Sequence, residues 1–251
     1  MEIDLNVDVG ESFGEWRLGE DETLIPLVSS VSIACGFHAG DPRTMERTVA
    51  LAARSGAAIG AHPGYPDLVG FGRRDLAMAS EDLEAAVVYQ IGALAAFANG
   101  AGVELRHVKP HGALYNRAAA DPLVARALVR AVRRVSRSLR LVGLAGSILL
   151  DAAADAGLTP VAEAFPDRAY EPDGRLRSRT FPDSLVDDPE TVGRRAVAMA
   201  LERQIAAVDG TVLEVRAATL CIHGDRPGAA ARARAARTAL DAAGILVQSP
   251  V

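Results

Sequence analysis

Apolar and polar positions along the chain fall into short uniform runs separated by longer amphipathic stretches. The apolar runs at 3–9, 31–35, 57–61, 105–108, 140–144, 159–164 and 218–222 read as seven buried strands. The stretches between them carry helix-start signals. Asp41-Pro42, Asp121-Pro122 and Asp188-Pro189 each place an N-capping carboxylate before a proline at the first helical position. Ser80, followed by Leu83 and Glu84, opens a long helix that runs to about Asn99. Strands alternating with helical crossovers predict a parallel sheet. Neither a linker nor a repeat interrupts the pattern, so one domain over residues 1–251 is expected. Residues 165–189 lack periodicity, and a loop of that length is usually functional or disordered.

The first strand breaks the pattern in an informative way. Ile3, Leu5, Val7 and Val9 alternate with Asp4, Asn6 and Asp8. If helices cover the outer face of a closed parallel sheet, the polar set points into the barrel. Burying it there costs several kcal/mol, on the order of 2–7 per group, unless each group is partnered. The competing expectation is an edge strand with one wet face.

Composition narrows the function. Hydrophobic residues make up 49% and charged residues 24% of 251 positions, as in soluble globular chains. A net charge of −5 leaves no basic excess for a general nucleic-acid binder. Ala and Arg are abundant, and of 27 Lys and Arg residues only Lys109 is a lysine. Where any cation sufficed the position is Arg, so Lys109 is singled out before any motif is considered. Cys35 and Cys221 show no metal-like or redox spacing and are expected to be reduced, buried thiols. The N-terminus lacks the features of a signal peptide, and the two long uncharged stretches contain Pro, Gln or Asn. A cytoplasmic protein is expected.

Polar residues cluster after the strands. The runs are Cys35-Gly36-Phe37-His38-Ala39-Gly40-Asp41, then His62-Pro63-Gly64-Tyr65-Pro66-Asp67, Lys109-Pro110-His111-Gly112, Glu163 with Asp167 and Arg168, and His223-Gly224-Asp225. Four of five histidines lie there, at the strand ends where parallel sheets bind ligands. His107, inside a strand, is expected to be structural or exposed. Gly70-Phe71-Gly72-Arg73-Arg74 is either an anion loop or a turn. No P-loop, dinucleotide fingerprint or nucleophile elbow is present. Histidines together with Asp8 could form a mononuclear metal site, although the spacing is not diagnostic.

These motifs resemble the LamB/YcsF family, the A subunits of bacterial ATP-dependent 5-oxoprolinases. The resemblance rests on residues 4–14, 34–41, 60–67, 108–116, 163–170 and 221–225, in order along the whole chain. It implies a seven-stranded (β/α) barrel of the glycoside hydrolase/deacetylase type. It also implies ATP-dependent ring opening of 5-oxo-L-proline to L-glutamate, with ATP as co-substrate carried with Mg²⁺, and partner subunits B and C. On that reading Lys109 stabilises the transferring phosphoryl group or binds the substrate carboxylate. Asp8, His62 or His111 activates water, and His223 or Asp225 protonates the leaving nitrogen. Arg168 and Arg177 bind anionic groups, and Asn6, Glu11, His38, Asp41 and Glu163 complete the pocket. Two competing functions remain: a metal-dependent amide or sugar deacetylase, and a non-catalytic lactam sensor.

Overall fold

A computed structural model describes residues 1–250. The first half of the chain runs Glu2–Val9 (β1), Asp21–Leu24 (α1), Ser30–Ala34 (β2), Pro42–Ser55 (α2), Ala58–His62 (β3), Ser80–Gly100 (α3) and Leu105–Val108 (β4). It continues through Gly112–Ala118 (α4), Pro122–Val135 (α5), Arg140–Leu144 (β5), Ile148–Asp155 (α6) and Pro160–Ala164 (β6). Pro189–Val197 (α7), Gln204–Ala206 (β7), Val212–Glu214 (β8), Thr219–Ile222 (β9), Ala229–Ala242 (α8) and Leu246–Val247 (β10) complete it.

Strands β1 to β6 pair in sequence order, β6 pairs with β9, and β9 pairs back with β1. All these pairings are parallel, so the sheet closes into a seven-stranded barrel. Closure removes the edge-strand alternative for β1: Asn6 stands level with Ser30 on one side and Cys221 on the other. Strand bounds differ from the sequence expectation by one residue at most. Beyond the expectation lie the β7–β8 hairpin and the short β10 strand beside β1. Both are two or three residues long and half exposed, too brief to leave a periodic signal.

The outer layer forms as the helix signals require. The carboxylates of Asp41, Asp121 and Asp188 accept backbone N–H groups at the starts of α2, α5 and α7, each with Pro at the first turn. Apolar positions at helical spacing, such as Val124, Leu128 and Val132 on α5, are buried in the core. Leu5, Val7 and Val9 of β1 face that layer and are fully buried. Asp4, Asn6 and Asp8 therefore point into the lumen. Among the described residues no helix is long and apolar enough to cross a membrane.

Candidate active site

The lumen is a stack of polar layers, and β1 contributes one residue to each. At the bottom, Asp4 accepts hydrogen bonds from the hydroxyls of Ser29 (2.6 Å), Ser30 (2.7 Å) and Thr219 (2.6 Å). Burial nevertheless raises its pKa above the usual carboxylate range. Beside it, His107 is buried with its Nε2 3.2 Å from Ser32 Oγ. Burial pushes this imidazole down to about 3, so it is neutral. Its ring fills the space where any side chain at residue 60 would sit, and that residue is Gly60. His107 is thus structural and buried.

Asn6 forms the middle layer. Its amide donates to Glu163 Oε1 (3.0 Å) and Thr219 Oγ1 (2.6 Å), and its carbonyl oxygen accepts from Lys109 Nζ (2.9 Å). Stabilising a phosphoryl group or binding the substrate carboxylate would need a free Lys109 ammonium at the mouth of the barrel. The residue lies instead inside the barrel, 1% exposed. Its ammonium sits 2.7 Å from Asp8 Oδ1, 2.9 Å from Glu163 Oε1 and 3.2 Å from Cys221 Sγ. An ammonium has three N–H donors, so none is left for a phosphoryl group or a substrate carboxylate. Burial disfavours the charge, but Asp8, then Cys221 and Glu163, outweigh it, and Lys109 stays protonated with its pKa well above normal. Burial likewise raises Asp8, while His62 and Lys109 outweigh it and hold this carboxyl well below the usual range.

Above Lys109 the barrel opens into a cavity of about 930 Å³. Asp8, His62, Lys109, His111, Glu163, Arg168, Arg177 and His223 all contribute to its lining. His62, His111 and His223 arrive from three different strand ends. His223 Nδ1 lies 3.1 Å from both oxygens of Asp167, whose carboxylate also accepts the His223 backbone N–H (2.8 Å). Burial raises the Asp167 carboxyl, but His223 overrides this and holds it at about 2. Burial in turn lowers the imidazole below its ordinary value despite Asp167. At neutral pH His223 is a neutral ring held by an ionised carboxylate, the arrangement of an oriented general base.

Residues 165–189 are ordered and form one wall of this cavity. Ala169 N–H donates to Ser184 O, Arg177 N–H to Ala169 O, and Val186 N–H to Asp167 O. Arg168 donates to the carbonyls of Ser184 and Arg177. Arg177 is held by Glu171 (2.9 Å) and Asp183 (2.7 Å), so its charge is already matched. Arg179 is a site residue that the sequence does not single out. It lines the cavity, and among the described residues no hydrogen bond or ion pair engages its guanidinium. Burial, with Arg73 and Arg168 nearby, pushes it down to about 10. Arg and carboxylate side chains are frequent in this loop, and no local motif separates the free Arg179 from the paired Arg177.

Several expected site residues lie elsewhere. Asp41 caps α2, accepting N–H groups of Arg43, Thr44 and Gly14 and the Thr44 hydroxyl, and does not line the cavity. Asp225 pairs with Arg73 at 2.6 Å and also stays outside the lining. Glu11 and His38 sit behind His62 and His111. Burial, then Asp225 and Asp8, raise Glu11 well above the usual carboxylate range. Burial, then neighbouring histidines, lower His38 and His111 well below the imidazole range. In the 70–74 loop Arg73 pairs with Asp225 and Arg74 with Asp67. The loop presents the Phe71 carbonyl to His111 Nε2 at 2.8 Å. Gly72 (φ +63°) makes that approach possible, because a Cβ there would meet His111 and His38 at 2.8 Å. Cys35 and Cys221 are free and buried.

A closed parallel barrel whose lumen ends in an oriented histidine, a buried ion-pair floor and an arginine-bearing wall defines a hydrolase-type (β/α) barrel. The LamB/YcsF family model matches residues 3–251, and the chain belongs to the LamB/YcsF family. The A subunit of 5-oxoprolinase from Chloroflexus aggregans is 56% identical over 250 residues, covering 100% of this chain and 99% of that one. The crystal structure of a lactam utilization protein from Thermus thermophilus superposes with a TM-score of 0.94 at 50% identity, covering 99% of each chain. The catalytic domain of a peptidoglycan N-acetylglucosamine deacetylase from Eubacterium rectale has a TM-score of 0.50 at 10% identity, over 99% of this chain and 88% of that one. That likeness concerns the fold alone.

Proposed function

We propose that this chain is the A component of an ATP-dependent 5-oxoprolinase that opens 5-oxo-L-proline to L-glutamate together with B and C components. The observation that carries this reading is the whole-length match to chains named as the A component of 5-oxoprolinase. The geometry agrees with it. The lactam is a resonance-stabilised amide, and phosphorylating its oxygen with ATP, with loss of ADP, makes the ring carbon electrophilic. Water then adds to that carbon, the C–N bond breaks as nitrogen takes a proton, and a second water releases phosphate from the acyl phosphate.

His223, held by Asp167, takes the proton from the attacking water and returns it to the nitrogen. Arg179, with Arg168 behind it, binds an anionic group, either the substrate carboxylate or the phosphoryl oxygens. Lys109 is a positioning residue that fixes Asp8 and Glu163 at the cavity floor, where Asp8 orients the ring or the water. The test is glutamate release from 5-oxoproline by this chain alone and with co-expressed B and C components, each with and without ATP. ATP-dependent glutamate from the assembled complex supports the reading. Lactam hydrolysis without ATP, or none from the complete complex, overturns it.

A further inference from the structure

Near the mouth, four buried side chains turn potential ligand atoms toward one point. His62 Nδ1 lies 2.7 Å from the Lys109 carbonyl oxygen. A carbonyl only accepts, so Nδ1 carries a proton, and Nε2, which also lies 3.3 Å from Asp8 Oδ2, is the nitrogen turned toward the cluster. His111 Nε2 lies 2.8 Å from the Phe71 carbonyl oxygen, which likewise leaves His111 Nδ1 turned toward the cluster. These two nitrogens face each other at 3.0 Å. Glu11 Oε1 lies 3.5 Å from His111 Nδ1 and 3.7 Å from His38 Nε2. His38 is 0% exposed, and neither of its ring nitrogens has a hydrogen-bond partner. One ligand atom from each of Glu11, His38, His62 and His111 falls within 4.8 Å of the others.

The two Glu11 distances are long for hydrogen bonds, and they suit a different geometry. Two donors each about 2.1 Å from a shared tetrahedral ion stand about 3.4 Å apart. The separations of 3.0, 3.5 and 3.7 Å scatter around that edge length. A proton on His62 Nε2 would serve His111 Nδ1 or Asp8 Oδ2, 3.3 Å away, and would still leave His38 and Glu11 unsatisfied. Both His62 and His111 also donate their second N–H to a backbone carbonyl, the outer contact that orients metal-binding imidazoles.

We propose that Glu11, His38, His62 and His111 form a binding site for one divalent first-row transition ion of the zinc type. Three imidazole nitrogens and one carboxylate are the donor set such ions take. This site stands independently of the ring-opening reading, because it is tested by binding rather than turnover.

The experiment uses the tag-free full chain, stripped with a chelator and then titrated with Zn²⁺ and, separately, with Co²⁺. Calorimetry, elemental analysis after gel filtration and the visible Co²⁺ spectrum supply the readouts. One equivalent per chain is expected, with a tetrahedral Co²⁺ spectrum and a raised unfolding temperature. His38→Gln and Glu11→Gln should each weaken Zn²⁺ binding on the order of 100-fold or more, beyond the effect of losing an outer contact. His223→Gln should leave it unchanged. Sub-stoichiometric, non-saturating binding by the folded wild-type chain overturns the proposal, even if the variants fail to fold. Undiminished binding by folded His38→Gln and Glu11→Gln chains overturns it as well.

Discussion

The lower lumen and the mouth of the barrel are both polar and both buried, yet they are finished differently. Around Asp4 and Asn6 the carboxylate and amide groups meet hydroxyls, an amide or an ammonium at hydrogen-bond distance. A few ångströms higher, His38 has no partner on either nitrogen and the Glu11 carboxylate lies 3.5 Å or more from the nitrogens of His111 and His38. An unsatisfied buried polar group costs about 1–3 kcal/mol. A satisfied stack holds the barrel together, whereas the cost of an unsatisfied one is offset only when something binds. The lower half, where His107 Nδ1 and Glu163 Oε2 are left without partners, is otherwise satisfied, and the chemistry we propose belongs to the upper half and the arginine wall.

Removing the hinge between the two halves should have the largest effect. Lys109→Met leaves Asp8 and Glu163 buried without their cation, and breaking a buried ion pair costs about 3–5 kcal/mol. Denaturant unfolding should show that loss, together with loss of turnover. Lys109→Arg should also be destabilised, because its wider planar fork does not fit a site that is 1% exposed. Native-like stability in either variant would mean the floor is not a tight ion pair.

Next comes the oriented base. His223→Gln should lower kcat of the assembled complex by about 10²–10⁴, the usual worth of general acid–base catalysis, with little change in unfolding temperature. A kcat within a few-fold of wild type would remove His223 from the proton path.

The two arginines two positions apart offer a sharper contrast. Arg179→Gln should raise KM for ATP or for 5-oxoproline on the order of 10-fold or more, consistent with losing a charge-assisted contact. Arg177→Gln should change it less, since Glu171 and Asp183 already occupy that guanidinium. Equal effects would show that pairing in the loop does not decide which charge reaches the ligand.

The smallest effect on activity is expected at His107. Its folded pKa of about 3 lies below the reference value of 6.5. Below pH 6.5 the unfolded chain takes up a proton that the folded chain refuses, so this residue makes stability fall as pH drops through that window. His107→Gln should flatten the slope of unfolding free energy against pH by about 1.4 kcal/mol per pH unit in that window, with turnover within a few-fold of wild type. An unchanged slope would mean His107 is charged in the folded protein.

Much of the architecture is legible in the pattern of residues, because parallel strands and capped helices are local. Seven apolar runs and three Asp-Pro starts place the barrel strands and helices α2, α5 and α7. The alternation Asp4, Asn6, Asp8 discloses a polar lumen. What sequence reasoning misses depends on distance in space. Lys109 follows a strand end in the chain, yet its ammonium reaches down to Asn6, 103 positions away. Asp41 looks like a ligand residue because it lies beside His38, whereas its carboxylate is occupied in capping α2. Arg177 and Arg179 are equivalent in sequence and separate only once Glu171 and Asp183 close on the first. The pairing of Asp167 with His223 spans 56 positions, and no spacing rule brings them together.

Asp8 is where the halves meet: it is held by Lys109 from below and turned toward the cavity above. Turnover of 5-oxoproline by the complex assembled with Asp8→Asn, read as glutamate released per ATP consumed and set beside thermal unfolding of the same variant chain, tests the account most directly. Asn keeps the shape and removes the charge, and Lys109 retains Glu163. The account predicts an unfolding temperature within about 5 °C of wild type and no glutamate above background. Wild-type turnover by Asp8→Asn would contradict it and make Asp8 a structural partner of Lys109 only.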